Sequence, residues 1–142
     1  MTPTELLAAA RALLADESAA TAGGWPRMVA LLTRQALEEA LSGFWEAHPA
    51  TAGLSGSSRK SQLACLPFYL DARVAREAGY VWAALSDACH YHAYELAPTA
   101  GELTGWIDAV AGLTQCMNQT GPGSVIDSDT DQNQEGRDEG DH

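Results

Sequence analysis

Asp71–Ala97, DARVAREAGYVWAALSDACHYHAYELA, decides the fold, because its apolar residues recur at helical spacing. Wound at about 3.6 residues per turn, the segment carries one apolar stripe along its length. The stripe consists of Val74, Ala78, Val81, Leu85, Cys89, His92 and Leu96. Pro98 cannot continue a helix and disfavours helical backbone just before it. The sequence therefore predicts one long, half-buried helix over about 71–96.

Segments on both sides of this helix show the same spacing together with capping residues and prolines that mark helix starts. They predict a first helix capped by Thr4, a second over about 26–47, a third from Ser57 or Ser58 to about Leu66, and a last one that begins at a Thr99–Glu102 capping box. No segment alternates apolar and polar residues over strand length. The fold class predicted is all-α, a bundle of four to five helices.

The charge distribution divides the chain into two parts. Residues 118–142 lack aromatic side chains and are rich in Asp, Glu, Gly and Asn, so they cannot bury enough apolar surface to fold. We expect a helical domain over 1–117 and a disordered acidic tail over 118–142. The formal net charge is -11 and no basic stripe is present, which disfavours free-standing binding to nucleic acid. A basic protein partner for the acidic tail is a further expectation.

The expected cellular compartment follows from features that the sequence lacks. No window is long and apolar enough to span a bilayer, and the N-terminus lacks the basic region of a signal peptide. Three widely spaced cysteines do not form a disulfide framework. We therefore expect a cytoplasmic protein with reduced thiols and no membrane contact.

The long helix carries Cys, His and Glu side chains that could in principle bind a metal or act as a nucleophile. Cys89, His92 and Glu95 are three residues apart, yet the chain has no Glu-x-x-His motif and too few ligands for a zinc site. Cys89 lies on the apolar stripe toward the negative end of the helix dipole, which disfavours a thiolate. We therefore expect no metal and no cofactor, and a structural role for Cys89.

A polar cluster is predicted where the second and fourth helices pack together. Arg34 and Glu38 lie at the edge of one apolar face, and His92 and Glu95 occupy comparable positions on the other. Antiparallel packing would bring them together, and buried charges require such partners. The cluster is either structural or an active site. Leu31 and Trp45 fall outside the main stripe of the second helix and predict a further contact surface.

Two segments, MVALLTRQALEEALSGFWEAH over 28–48 and REAGYVWAALSDACHYHAYEL over 76–96, resemble the HEPN domains of prokaryotic conflict systems, especially the small actinobacterial type. The resemblance extends over about 4–113. It implies a helical bundle whose active members are metal-independent ribonucleases. Their Arg-x4-6-His motif lies in a cleft between two subunits or domains.

The motif of that family is incomplete in this chain. Residues 86–92 read SDACHYH, so that His92 matches the motif histidine, Asp87 matches the polar residue after the arginine, and Ser86 replaces the arginine itself. The loss removes the main charge-assisted donor to a transition-state phosphate. The resemblance therefore implies a non-catalytic member of a toxin–antitoxin or defence system that acts through protein contacts.

Two alternative functions remain open, and one oligomeric state is expected for all three. The first alternative is a ribonuclease in which His92 or His90 is the general acid or base and Arg34 binds phosphate. The second is a helical scaffold subunit with no defence role. In each case we expect a homodimer formed through the second and fourth helices.

Overall fold

The computed structural model describes residues 1–16, 24–48, 53–54, 56–90 and 95–120. These ranges contain five α-helices and one 3-10 turn and no strand, so the predicted all-α bundle of four to five helices is confirmed. The elements are α1 (Pro3–Ala15), α2 (Trp25–Glu46), α3 (Arg59–Cys65), the 3-10 turn Leu66–Phe68, α4 (Ala72–Cys89) and α5 (Ala100–Gln119). None of the described helices is long and apolar enough to cross a membrane.

Most helix starts follow the predicted capping chemistry. At α5, the backbone N–H of Glu102 donates to Oγ1 of Thr99 at 3.1 Å and the Glu102 carboxylate accepts from the Thr99 backbone. Ser58 caps α3 by accepting from the backbone N–H of Ser61 at 3.2 Å. Each cap satisfies a donor that the first helical turn would otherwise leave unpaired.

The start of α1 differs from the prediction. Its N-cap is Thr2, whose Oγ1 accepts from the backbone N–H of Glu5 at 3.2 Å, while the Glu5 carboxylate accepts from the Thr2 backbone at 2.9 Å. Pro3 occupies the first turn, where its missing N–H costs nothing. Thr4 therefore lies inside α1 and does not cap it.

The end of α4 also differs from the prediction. The helix ends at Cys89, with His90 as its C-cap at φ −120° and ψ 17°, and does not continue to Leu96. Ala78, Val81 and Leu85 are buried as the stripe requires, whereas Leu96 is 97% exposed. The predicted apolar stripe therefore does not include Leu96, and His92, predicted on the same stripe, lies outside the described residues.

The core forms around α2, which packs against α1, α4 and α5. The largest fully buried side chains are Trp45, Leu37, Leu41, Leu66, Leu85, Leu103 and Ile107. Trp45 is 0% exposed. Its ring makes edge contacts with the rings of Phe44 and Tyr69, with centroid distances of 5.0 and 5.3 Å. It therefore belongs to the core rather than to a second contact surface.

The C-terminal helix sets the extent of the helical domain. α5 continues to Gln119, and Met117 is only 4% exposed, so the last turns of α5 pack into the bundle. The predicted disordered tail falls, beyond Thr120, outside the described residues.

Candidate functional site

A polar cluster joins α2 to α4 across an antiparallel contact. Arg34 and Glu38 lie one turn apart on α2, and Trp82 and Cys89 lie two turns apart on α4, so each pair shares a helix face. We call these four residues the Arg34 cluster. The opposite end of the same helix pair is marked by the contact between Trp45 and Tyr69. The end of α2 thus meets the turn that leads into α4, while Arg34 and Glu38, earlier in α2, meet the later part of α4, which is antiparallel packing.

The carboxylate of Glu38 is the centre of the cluster. Nε of Arg34 donates to its Oε1 at 3.0 Å, and the indole Nε1 of Trp82 donates to the same oxygen at 3.3 Å. The guanidinium carbon of Arg34 lies 5.5 Å from the centroid of the Trp82 ring, within cation–π range. The Arg34 and Glu38 side chains are 25% and 24% exposed. The pair is therefore partly desolvated and internally satisfied, as buried charges must be.

Cys89 contacts this ion pair but is not activated by it. Burial raises the pKa of the Cys89 thiol, and this effect outweighs the lowering of the pKa by the charge of Arg34 and by its hydrogen bond to the thiol. The Glu38 charge raises the pKa further and the Arg27 charge lowers it. A thiol with a raised pKa stays protonated near neutral pH and is a poor nucleophile. Cys89 thus packs against Arg34 as a thiol.

Ser86 lies between Trp82 and Cys89 on the same face of α4. Its Oγ is buried and has no hydrogen-bond partner among the described residues. The position at which the family motif would supply an arginine therefore holds a small, enclosed hydroxyl.

The other candidate residues lie on the surface near the end of α4. Asp87 and His90 are exposed, and the backbone N–H of His90 donates to the carbonyl of Asp87 at 3.1 Å. Glu95 is exposed and lines a cavity of about 490 Å³ with Asp87 and Trp106. Of the predicted polar cluster, the structure brings Arg34 and Glu38 together and places Glu95 in the segment before α5.

Two members of the cluster were not predicted as site residues. The sequence predicts a structural role for Cys89, and it predicts that Trp82 fills the core like the other tryptophans. A usable signal existed for Trp82, since a buried indole N–H needs an acceptor and Glu38 is a carboxylate on the facing helix. Within the described ranges, no three His, Cys, Asp or Glu side chains form a group that could hold a metal ion.

Comparison with known proteins adds no relative. Family models, curated proteins and solved structures were all searched, and none matches this chain. The resemblance to HEPN domains thus depends on residues 28–48 and 76–96 alone.

Proposed function

We propose that this chain is a non-catalytic, HEPN-like helical protein of a toxin–antitoxin or defence system that acts through protein contacts. The link to such systems rests on the resemblance of residues 28–48 and 76–96. The proposed lack of catalysis rests on one observation, the engagement of Arg34 by Glu38 and Trp82.

A ribonuclease of this family needs a guanidinium directed at phosphate where negative charge develops. Ser86 occupies the motif position, and Arg34 is the arginine nearest to it in the cluster. Arg34 already gives its Nε to Glu38 at 3.0 Å. Glu38 compensates its charge and the Trp82 ring lies against the guanidinium, so Arg34 is held within the α2–α4 contact by a carboxylate that is only 24% exposed. The arrangement supports a structural role for Arg34.

Exposed apolar residues on α2 support the protein-contact part of the proposal. Met28 and Leu31 are 48% and 36% exposed and lie three residues apart, so they share a helix face. Arg27 adjoins Met28, while Glu39 and Glu46 lie toward the other end of α2. Two copies of α2 crossing antiparallel would place Arg27 of each near carboxylates of the other. This distribution of charge along α2 favours a homodimer with two-fold symmetry.

The ribonuclease alternative also has one specific observation in its favour. The charge of Arg34 lowers the pKa of the Cys89 thiol, and Cys89 immediately precedes His90. The guanidinium therefore lies close to the segment that carries both candidate general acid–base histidines. In this alternative His90 or His92 would transfer the proton and Arg34 would stabilise the phosphate.

An RNA-cleavage assay on the purified full chain distinguishes the non-catalytic proposal from the ribonuclease alternative. We expect the wild-type protein to cleave total RNA and short single-stranded oligoribonucleotides no faster than a His90→Ala/His92→Ala double variant. His142→Ala is the matched control, since this histidine belongs to the tail. Cleavage that is lost in the double variant but kept in His142→Ala would overturn the non-catalytic proposal.

Sedimentation at micromolar concentration tests the dimer. We expect a mass of twice 15.0 kDa for the wild type. Leu31→Glu should give a monomer because it places a charge in the apolar contact, whereas Leu96→Glu, an exposed leucine outside α2, should remain dimeric. A wild-type monomer would contradict the dimer.

A scaffold subunit with no defence role would give the same results in both assays. Neighbouring genes distinguish it from the leading proposal. A nucleotidyltransferase or effector gene beside this one supports a conflict system, and its absence from a set of related loci supports the scaffold.

A further inference from the structure

The outer face of α4 and the 3-10 turn before it expose two aromatic rings and two arginines. Arg73, Arg76 and Tyr80 have spacings of three and four residues and so share this face. Tyr80 is 73% exposed, and Phe68, in the 3-10 turn that precedes α4, is 83% exposed. We call Phe68, Arg73, Arg76 and Tyr80 the outer α4 face. Exposed rings on the same surface as cations offer both an apolar contact and a charge to a ligand.

The two arginines of this face are not neutralised by the described part of the protein. Arg11 and Arg34 pair with Asp108 and Glu38, but no described carboxylate forms an ion pair with Arg73 or Arg76. The nearest acidic residues in sequence are Asp71 and Glu77. Asp71 caps α4 by accepting from the backbone N–H of Arg73 at 2.9 Å. Glu77 lies one turn after Arg73, but no ion pair joins the two, so the guanidinium groups of Arg73 and Arg76 both lack a carboxylate partner among the described residues.

The chain leaves α5 near the end of α2, on the side of the turn that precedes α4. Thr120, the C-cap of α5, lines a cavity with Phe44 and His48 at the end of α2. The ring of His48 lies 6.1 Å from the ring of Tyr69, which adjoins Phe68. Thr120 and Tyr69, in the turn before α4, therefore both lie near His48.

The sequence after Thr120 complements the outer α4 face. Residues 121–142 contain two aliphatic side chains, Val125 and Ile126, and these are followed at once by Asp127, Asp129 and Asp131. An apolar pair next to alternating carboxylates matches an exposed ring next to unpaired arginines. Val125 is five residues after Thr120, a distance of up to about 17 Å when extended, which allows the chain to turn back.

We propose that the acidic tail folds back on its own chain and covers the outer α4 face, with Val125 and Ile126 against Phe68 and the following aspartates beside Arg73 and Arg76. Tethering gives such contacts an effective concentration on the order of millimolar, so a loose contact suffices. The tail then competes with any other anion, nucleic acid included, for these two arginines. This inference is independent of the proposed function.

Nuclear magnetic resonance of the full chain tests the proposal through the backbone amides of 125–131. Raising the salt from about 0.01 M to about 1 M shortens the Debye length from about 30 Å to about 3 Å and should shift these amides. In Arg73→Gln/Arg76→Gln the amides should already lie at their high-salt positions, so the salt-dependent shift is lost. Arg11→Gln, which removes an exposed arginine elsewhere, should behave like the wild type.

Three observations decide the outcome. Unchanged amides of Leu85 and Val110 show that the double variant keeps its fold, as expected for two exposed side chains. Tail amides that are the same in the wild type and the double variant would overturn the proposal. Tail shifts that change on tenfold dilution would show binding to a second copy, which also overturns docking on the same chain.

Discussion

Arg34 and Trp82, on two different helices, bind the same carboxylate oxygen, Oε1 of Glu38, at 3.0 and 3.3 Å. Both donors thus depend on one side chain for an acceptor. The contact fixes α2 against α4 at a defined register, because the indole has a single N–H and one direction of donation. This arrangement accounts for a half-buried charge pair in a helix interface that is otherwise apolar.

Removing this acceptor should destabilise the bundle. In Glu38→Ala the guanidinium of Arg34 and the indole N–H of Trp82 both lose their partner, and we expect the free energy of unfolding to fall by about 1 to 3 kcal/mol. Urea unfolding followed by tryptophan fluorescence measures the change. Glu39→Ala is the matched control, since Glu39 is exposed and its loss should stay within about 0.5 kcal/mol. Equal effects at both positions would show that the cluster does not hold α2 and α4 together.

Ser86 offers the opposite test, because its buried hydroxyl has no partner among the described residues. Ser86→Ala should leave stability unchanged or raise it by up to about 1 kcal/mol, since it removes an unsatisfied group and improves helix propensity. Ser42→Ala serves for comparison, because Oγ of Ser42 accepts from Arg59 at 3.0 Å. In thermal unfolding, the midpoint temperature of Ser86→Ala should be higher than that of Ser42→Ala. The reverse order would mean that Ser86 has a polar role.

The pKa of Cys89 predicts a pH dependence with a definite sign. Burial raises the pKa of the thiol in the folded state above its ordinary value in the unfolded chain. The folded protein therefore holds the thiol proton more tightly than the unfolded chain does. The stability that this provides is fully present below the ordinary pKa of the thiol and is lost as pH rises through the pKa in the folded state. Urea unfolding between about pH 7 and pH 10 should show a steeper loss of stability for the wild type than for Cys89→Ala. Parallel profiles would contradict the raised pKa.

Local chemistry in the sequence predicted most helix starts but not all of them. The caps at Ser58 and Thr99 depend on neighbours three residues away, so they were predicted from the sequence. The start of α1 carried the same signal, since Thr2 and Glu5 form a capping box with Pro3 between them. Thr4 was the predicted cap because it lies just before the apolar run that begins at Leu6. A proline at the first helical position was the stronger indicator.

The end of α4 and the contents of the site depend on tertiary contacts. The apolar spacing through Cys89 continues to Leu96, yet the helix stops at Cys89, and Leu96 is 97% exposed. Periodicity indicates which face would be buried if the helix continued, but not whether neighbouring helices extend far enough to bury it. For the same reason, the pairing of Arg34 with Glu38 could be predicted from their spacing, whereas the contribution of Trp82 required the register of α2 against α4.

Truncation should separate the helical domain from the tail at a precise point. A chain that ends after Thr120 keeps all of α5, and we expect its free energy of unfolding to change by less than about 1 kcal/mol, because exposed ion pairs contribute little. A chain that ends after Cys116 lacks Met117, which is 4% exposed, and loses the last turn of α5. It should be less stable by about 2 to 5 kcal/mol, as for other large buried side chains. Thermal unfolding followed by circular dichroism measures both changes. A loss of several degrees after removal of 121–142 alone would show that the tail contributes to the packed bundle and not only to a salt-sensitive contact on its surface.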